Sequence, residues 1–147
     1  MMKNVKQLLT SKNDNVWSVG PTTSITDACK LMAEQKIGAL VVVENNKVVG
    51  IVSERDFVHK VLSKQISIYE LTVGDVMTPS IVSIHPEYSV EECMVLMTEN
   101  HLRHLPVLDN EHVVGVISIR DVVKEVVEEK EFMIGQLENY ITERRFL

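Results

Sequence analysis

Two short stretches of the chain combine serine and aspartate at a spacing that could bind a nucleotide. Ser53 and Asp56 lie three residues apart, as do Ser118 and Asp121, and each pair follows an apolar run and precedes an amphipathic stretch. This pattern predicts a strand end, a serine N-cap and a first helical turn. A carboxylate beside free backbone N–H groups suits the diol and phosphate of a nucleotide. Because Ser-x-x-Asp is also an ordinary capping box, the nucleotide hypothesis depends on the duplication.

The two stretches belong to an internal repeat with an offset of 65 residues. Residues 21–62 align with residues 86–127 without a gap, and 16 of these 42 positions are identical. Such a repeat predicts two similar structural units. We expect the following division of the chain: unit 1 at 4–62, a connector at 63–71, unit 2 at 72–128 and a C-terminal helical extension at 129–147.

Both copies have the same predicted order of elements, β-α-β-β-α. A brief apolar piece leads into a helix capped by Ser24 in copy one and by Ser89 in copy two. Two β-branched runs around turn residues then predict a hairpin, and because these runs are apolar throughout, we expect both faces of the strands to be covered. The fold class is therefore α/β, in the α+β sense, with two tandem units packed through their sheets with pseudo-twofold symmetry.

The last predicted helix extends beyond its counterpart in copy one. Apolar residues continue at helical spacing from Val122 to Ile141. Gly135 slightly weakens the prediction of a continuous helix, because glycine has a low helix propensity. No third unit is present to cover this stripe. We expect it to pack either back on the module or on another copy of the chain.

Charge and hydropathy exclude several classes of protein. Fifteen Lys plus Arg against 21 Asp plus Glu give a net charge of −6, which provides no general attraction for nucleic acid. No apolar run approaches the roughly 18 residues that span a bilayer, and the N-terminus lacks the features of a signal peptide. We therefore expect a cytoplasmic protein without a membrane segment. Cys29 and Cys93 fall on predicted helices among apolar neighbours, which favours packing over disulfide or metal chemistry.

The residue pattern supports neither a metal site nor catalysis. His101 and His104 are spaced like a ligand pair, but they lack the cysteine or carboxylate companions of a tetrahedral zinc site. No nucleophile lies beside a predicted general base, and the sequence has no glycine-rich phosphate loop. We expect no catalytic residues, no metal and no required cofactor.

The duplicated units resemble the cystathionine beta-synthase (CBS) domain pair, or Bateman module. The resemblance rests on both Gly-to-Asp stretches, on the Asp-Val-Met-Thr-Pro lead-in at 75–79 and on Leu-Pro-Val-Leu-Asp at 105–109, and it covers residues 4–128. It implies a stand-alone regulatory protein with two clefts between paired sheets. The family commonly holds adenosine-containing ligands in such clefts.

The resemblance also implies roles for individual residues. In the family, the Asp that ends the stretch binds ribose hydroxyls, and the Ser three residues earlier assists at the ribose or phosphate. These positions are Asp56 with Ser53, and Asp121 with Ser118. The adenine usually lies against the leading strand of a unit, which implies contacts with Val16, Trp17, Thr78 and Ile81.

Cationic residues distinguish the second copy from the first. Before its hairpin, copy two has Arg103 and His104 where copy one has Gly38 and Ala39. In related nucleotide-binding pairs, such as the AMP-activated protein kinase gamma subunit, cations at this place contact phosphate. An arginine fork matches phosphate oxygens and a histidine adds a donor, so the cleft containing Asp121 is the better candidate for a phosphorylated ligand. Two further cations adjoin the aspartates and either reach phosphate or pair with acidic neighbours: Arg55 and Arg120.

Three functions remain open at this point. The first is a sensor that binds AMP, ADP, ATP or NAD in one or both clefts and signals to an unknown protein partner by a population shift, with a homodimer as the assembly common in the family. The second is a ligand-free dimerisation and interaction module, which the retained Asp56 and Asp121 disfavour. The third is a sensor of a nucleoside such as S-adenosylmethionine, against which Arg103 and His104 argue modestly.

Overall fold

The order of helices and strands follows the predicted repeat. The structure is a computed structural model that describes residues 2–12, 15–79 and 82–145. The elements are α1 (Val5–Lys12), β1 (Ser18–Val19), α2 (Ile25–Gln35), β2 (Ala39–Glu44), β3 (Lys47–Ser53), α3 (Glu54–Lys60), α4 (Val73–Val76), β4 (Thr78–Pro79), α5 (Val90–Asn100), β5 (His104–Asp109), β6 (His112–Ser118) and α6 (Ile119–Arg145). The α+β class with two tandem copies is confirmed, and the predicted domain boundaries stay predictions.

The strands form two sheets that differ at the leading strand of each copy. In the first sheet, whose order is β1-β2-β3-β4, β1 runs parallel to β2 and the other two pairs are antiparallel. The second sheet consists of β5 and β6. A single parallel bridge between Ile84 and Val107 stands where the sequence predicts a leading strand at 81–84. Of that predicted strand, Ile81 lies outside the described residues.

The first helix of each copy begins and ends in the same way. Ser24 accepts a hydrogen bond from the Asp27 N–H, and Ser89 forms a reciprocal capping box with Glu92. At the other end, Lys36 (φ 55°) and His101 (φ 54°) adopt the left-handed conformation, offset by the repeat length. Local sequence therefore fixes both helix ends, as the capping pattern predicts.

The hairpin turns also repeat. Asn45 and Asn46 have φ values of 52° and 62°, and Asn110 and Glu111 have φ values of 50° and 68°. Two consecutive left-handed residues are typical of the tight turn that suits a twisted hairpin, and asparagine tolerates this conformation better than most residues. Glu111 is the least suited of the four.

The chain folds into two compact units, each made of more than one segment. The terminal unit comprises Met1–Asn13, His85–Leu105 and Ile117–Leu147, and the central unit comprises Asp14–Ile84 and Pro106–Val116. The central unit has a core built from α2, α3, α4 and the first sheet, in which Leu40, Val42, Val52 and Val73 are fully buried. Three consecutive residues of β2, 40–42, are inaccessible, which confirms that both faces of this strand are covered.

The terminal unit places α1 against the segment that precedes α5. The Val5 N–H donates to the Tyr88 carbonyl (2.8 Å), and the Lys6 N–H donates to the Pro86 carbonyl (2.9 Å). Helices α5 and α6 also contact each other. The position of α1 is therefore fixed by backbone hydrogen bonds near its start.

The apolar stripe of α6 is buried at its start and exposed towards its end. Val122 is 2% exposed, whereas exposure lies between 55% and 60% for the following side chains: Phe132, Met133, Ile134, Leu137, Tyr140 and Ile141. Packing back on the module is therefore wrong for residues 132–141. Within the described residues, no helix is long and apolar enough to cross a membrane.

The two cysteines have different environments. Cys93 is fully buried in α5, and burial together with the Glu92 charge raises the pKa of its thiol to about 11. Cys29 is exposed on α2, so the prediction that both thiols lie among apolar neighbours is confirmed for Cys93 only. Partial burial nevertheless raises the pKa of the Cys29 thiol.

Candidate functional site

Asp56, the predicted ribose ligand of copy one, is a buried capping residue of the central unit. Its Oδ2 accepts hydrogen bonds from the Ser53 N–H (2.9 Å) and the Ser53 Oγ–H (3.2 Å). The Asp56 N–H in turn donates to Ser53 Oγ (3.3 Å). These bonds form the capping box of α3 and occupy one carboxylate oxygen.

The second oxygen of Asp56 is also occupied. Lys60 Nζ lies 3.0 Å from Asp56 Oδ1, and the Thr78 Oγ–H donates to the same oxygen at 3.4 Å. Lys60 is itself held by the Val76 carbonyl (2.9 Å). A carboxylate offers about four acceptor positions, so the protein itself fills the acceptor capacity of Asp56.

Three of the residues that the resemblance implies as adenine contacts belong to the central unit: Val16, Trp17 and Thr78. Trp17 is half-buried, packs against the core, and its carbonyl accepts a hydrogen bond from the Val41 N–H. Val16 is half-buried beside it. Thr78 lies next to Asp56 and donates a hydrogen bond from its Oγ–H to Asp56 Oδ1. Ile81 lies outside the described residues, and Arg55 is exposed.

Asp121, the counterpart in the terminal unit, has the same capping geometry but spare acceptor capacity. Its Oδ2 accepts from the Ser118 N–H (2.8 Å), and its own N–H donates to Ser118 Oγ (3.2 Å). None of the described residues donates a hydrogen bond to Asp121 Oδ1. The side chain is 22% exposed, compared with 10% for Asp56. Asp121 therefore keeps one oxygen available to a ligand.

Lys12 is a member of this site that the repeat does not indicate. Its Nζ lies 3.0 Å from Asp121 Oδ2 and forms both a hydrogen bond and an ion pair. Lys12 is the last residue of α1. It lies outside residues 21–62, so the repeat alignment gives it no equivalent position in copy two. The only sequence signal is a basic residue in the last turn of a helix.

Arg103 marks the clearest difference between the two copies. Its carbonyl accepts a hydrogen bond from the Ile119 N–H (2.8 Å), just as the Gly38 carbonyl accepts from the Glu54 N–H (3.0 Å). The two positions are therefore structurally equivalent. In copy one, a Cβ added at Gly38 would lie 3.2 Å from Glu54 Oε1, so an acidic side chain stands where copy two has an exposed arginine. Copy two is therefore the more cationic of the two copies at this position.

The remaining predicted cations lie on or near the start of each second helix. Arg120 is exposed in the first turn of α6, and His104 is half-buried at the start of β5. No ion pair of Arg103, Arg120 or Arg55 is recorded within residues 2–12, 15–79 and 82–145. Across the same residues, no group of three or more His, Cys, Asp or Glu side chains is placed to hold a metal ion.

A separate groove lies between α2 and α3 of the central unit. Its lining combines apolar and charged side chains: Cys29, Met32, Ala33, Lys36, Ile37, Glu54 and Phe57. None of the predicted ligand-binding residues lines it. It is therefore distinct from both serine–aspartate sites.

The family model for the CBS domain matches the chain twice, at residues 5–63 and 73–128. Among curated proteins, the CBS domain-containing protein CBSX3, mitochondrial, of Arabidopsis thaliana is 38% identical over 123 residues, which cover 80% of this chain and 60% of that protein. The chain thus spans less than two thirds of the length of this relative. The predicted cytoplasmic location stays a prediction.

Solved structures give the same assignment. The crystal structure of the CBS-domain containing protein ATU1752 from Agrobacterium tumefaciens is 37% identical and covers 83% of this chain and 98% of its own, with a TM-score of 0.76. The CBS domain pair of MJ0100, solved with 5′-methylthioadenosine and S-adenosyl-L-methionine, is 23% identical, covers 88% and 99% of the two chains, and has a TM-score of 0.77. At that identity the similarity shows the fold alone. The chain belongs to the CBS domain family and is a CBS domain pair, a module of the regulatory class.

Proposed function

We propose that this CBS domain pair is a regulatory sensor, not an enzyme, and that it binds an adenosine-containing ligand at Asp121 and Ser118. The observation that carries the proposal is the available Oδ1 of Asp121, in contrast to the filled carboxylate of Asp56. Ligand binding would alter the populations of two conformations and so reach a protein partner. The proposed location is the cytoplasm.

A ribose fits the acceptor geometry of Asp121. Its two neighbouring hydroxyls are donors, and a carboxylate can accept both while its other positions stay bonded to the protein. At Asp56 the same diol would have to displace Lys60 or Thr78 from a largely buried oxygen. Breaking such a charge-assisted bond costs more than a neutral one. We therefore propose the terminal site as the main ligand site and a mainly structural role for Asp56.

The local charge favours a phosphorylated ligand. Lys12, Arg103 and Arg120 belong to the same terminal unit as Asp121, and Lys12 pairs with the Asp121 carboxylate. Arginine binds phosphate oxygens through two parallel hydrogen bonds. We propose AMP, ADP, ATP or NAD rather than S-adenosylmethionine, whose sulfonium is cationic. The ligands of the MJ0100 pair support adenosine recognition by this fold.

We also propose that the chain forms a homodimer through α6. Met133 and Tyr140 are seven residues apart, as are Ile134 and Ile141, and all four are exposed. Seven-residue spacing keeps an apolar seam on one side of a helix that pairs with another helix. The ordered stripe is therefore suited to a second copy of the same helix. A CBS-CP12 protein from bloom-forming cyanobacteria that has a similar fold is hexameric, which supports the proposal that this chain also assembles.

Thermal unfolding with a ligand series tests the binding proposal. Wild-type protein would be heated with AMP, ADP, ATP, NAD and S-adenosylmethionine, alongside Asp121→Asn and the matched Asp56→Asn. A ligand at 100 times its Kd adds about 2.7 kcal/mol, which corresponds to roughly 5 to 11 °C for a chain of this size. We expect Asp121→Asn to remove the shift and Asp56→Asn to keep it. The proposal fails if no adenosine compound raises the midpoint, or if Asp121→Asn leaves the shift intact.

A further inference from the structure

We propose that Lys12 makes the terminal site selective for phosphorylated ligands by exchanging Asp121 for the ligand phosphate. This inference rests on the proposed function. In the free chain Lys12 Nζ lies 3.0 Å from Asp121 Oδ2. When the ribose diol binds the carboxylate, the ammonium group moves to the phosphate of the same ligand. Lys12 is thus a specificity-determining residue that the sequence motif does not contain.

The cation that pairs with Asp121 comes from a different helix, whereas the cation that pairs with Asp56 comes from the same helix. Lys60 lies one turn after Asp56 on the same helix. The equivalent position in copy two is Glu125, so α6 supplies no such cation to Asp121. Instead the cation comes from α1, 109 residues away in sequence. A lysine from a different helix can leave the carboxylate without distorting α6.

The N-terminal segment holds Lys12 within reach of the site. Glu125 is buried, and its carboxylate accepts a hydrogen bond from the Lys3 N–H (3.3 Å). Val5 and Lys6 bind the backbone before α5. The start of α1 is therefore fixed, while the Lys12 side chain at its end is 29% exposed. The long, flexible stem of a lysine allows its ammonium group to turn from the carboxylate to a phosphate nearby.

The exchange should weaken the binding of neutral adenosine and strengthen the binding of its phosphorylated forms. Adenosine offers Lys12 no anion, so its diol must share the Asp121 carboxylate with a bound ammonium group. AMP or ATP supplies phosphate oxygens that replace the carboxylate as the partner of Lys12, since charge-assisted hydrogen bonds to phosphate are strong. Lys12 therefore opposes adenosine and supports its phosphorylated forms. Arg103 attracts the phosphate of AMP or ATP whether or not Lys12 is present. Removal of Lys12 alone therefore separates the contribution of Lys12 from that of Arg103.

Isothermal titration of three ligands on four proteins tests the exchange. Adenosine, AMP and ATP would be titrated into wild type, Lys12→Met, Lys12→Arg and Lys6→Met. Lys6 is an exposed lysine on the same helix, so it controls for the loss of one positive charge. We expect Lys12→Met to weaken AMP binding about tenfold or more and to leave adenosine binding unchanged or tighter. Lys12→Arg should keep most of the preference for AMP, and Lys6→Met should resemble wild type.

Two different failures would be distinguishable. If wild type binds none of the three compounds, the proposed function is wrong and the exchange is wrong with it. If wild type binds AMP but Lys12→Met weakens adenosine and AMP by the same factor, or changes neither, only the exchange is wrong. Circular dichroism melting of Lys12→Met checks its folding, and Lys12→Gln provides a second uncharged side chain. The salt dependence of AMP binding should also be shallower for Lys12→Met than for wild type.

Discussion

Lys60 and Glu125 occupy equivalent positions, each one helical turn after the aspartate of its copy, and they carry opposite charges. Lys60 neutralises Asp56 from within the same helix. Glu125 cannot do this for Asp121 and instead binds the backbone of Lys3. Because of this one difference between the copies, the cation that pairs with Asp56 lies on the same helix as the aspartate, whereas the cation that pairs with Asp121 lies on another helix.

The two aspartates should differ in their contribution to stability. Asp56→Asn removes the charge that pairs with Lys60 and weakens a buried capping box, so we expect a loss of about 2–3 kcal/mol. Asp121→Asn affects a more exposed pair, and we expect about 1 kcal/mol. Urea unfolding of both variants measures the difference. Equal losses would contradict the contrast between the two sites.

Gly50 should resist substitution because two chain segments meet at its Cα. An added Cβ would lie 2.7 Å from Met77 Sδ and 2.8 Å from the Thr78 carbonyl oxygen. The carbonyl belongs to the backbone of β4 and cannot move without breaking its pairing with β3. We expect Gly50→Ala to cost about 1–3 kcal/mol in free energy of unfolding.

Gly135→Ala is the control for that substitution. No atom lies within 4 Å of a Cβ added at Gly135, which is inside α6. Alanine favours a helix interior over glycine by about 0.5–1 kcal/mol, so the variant should be more stable than wild type. Denaturation curves for the two alanine variants should therefore shift in opposite directions. Destabilisation by both would show that the α6 helix is not formed at residue 135.

The repeat predicts the fold well because its signals are local. Ser24 and Ser89 cap their helices where the sequence places them, and Asn45 and Asn46 form the expected turn. Capping, turn conformation and apolar runs each depend on a few adjacent residues. Leading-strand pairing depends on distant residues, and among residues 82–84, the described part of the leading strand of copy two, it consists of one bridge at Ile84.

The sequence predicts the local part of the candidate site and misses the residues that reach it through long-range contacts. Ser118 and Asp121 follow from a motif of four residues. Lys12 reaches Asp121 through a tertiary contact, and residue 12 lies outside both serine–aspartate stretches. The filled carboxylate of Asp56 also depends on Thr78, which belongs to a different strand. Motif identity therefore predicts which aspartates are candidates, and packing decides which one is available.

The second hairpin turn offers a stabilising substitution. Glu111 has φ 68°, a left-handed conformation that disfavours residues with a Cβ, and it follows Asn110. Glu111→Gly creates Asn-Gly, the preferred sequence for such a turn, and should add about 0.5–1 kcal/mol. Asn46→Gly changes the equivalent residue of copy one and should gain less, because asparagine already tolerates this conformation. Thermal melting of both variants checks the order, and a larger gain for Asn46→Gly would contradict it.

The two thiols should react at different rates with a thiol reagent. The pKa of Cys93 is raised to about 11 by burial and by Glu92, so at pH 8 about 0.1% of this thiol is ionised even when reached. Cys29 is exposed. We expect one fast-reacting thiol per native chain, lost in Cys29→Ser, and two after unfolding. Since the unfolded thiol ionises near pH 9, the contribution of Cys93 to stability should decline as the pH rises from 9 towards 11. Equal reaction of both thiols in the native chain would contradict the burial of Cys93.

The apolar stripe on α6 makes the oligomeric state testable with one added charge. Leu137 lies at the centre of the stripe and is 60% exposed on the single chain. Leu137→Glu should remove about 1.5–3 kcal/mol of apolar burial from each chain of a dimer, which raises its Kd at least about 100-fold. Thr142→Glu adds the same charge at an exposed position on the opposite side of the helix and should leave the dimer intact. Light scattering after size-exclusion chromatography would give the mass of two chains for wild type and Thr142→Glu and of one chain for Leu137→Glu. A wild-type protein with the mass of one chain at micromolar concentration would rule out the proposed homodimer, whereas an unchanged dimer in Leu137→Glu would place its interface elsewhere than α6.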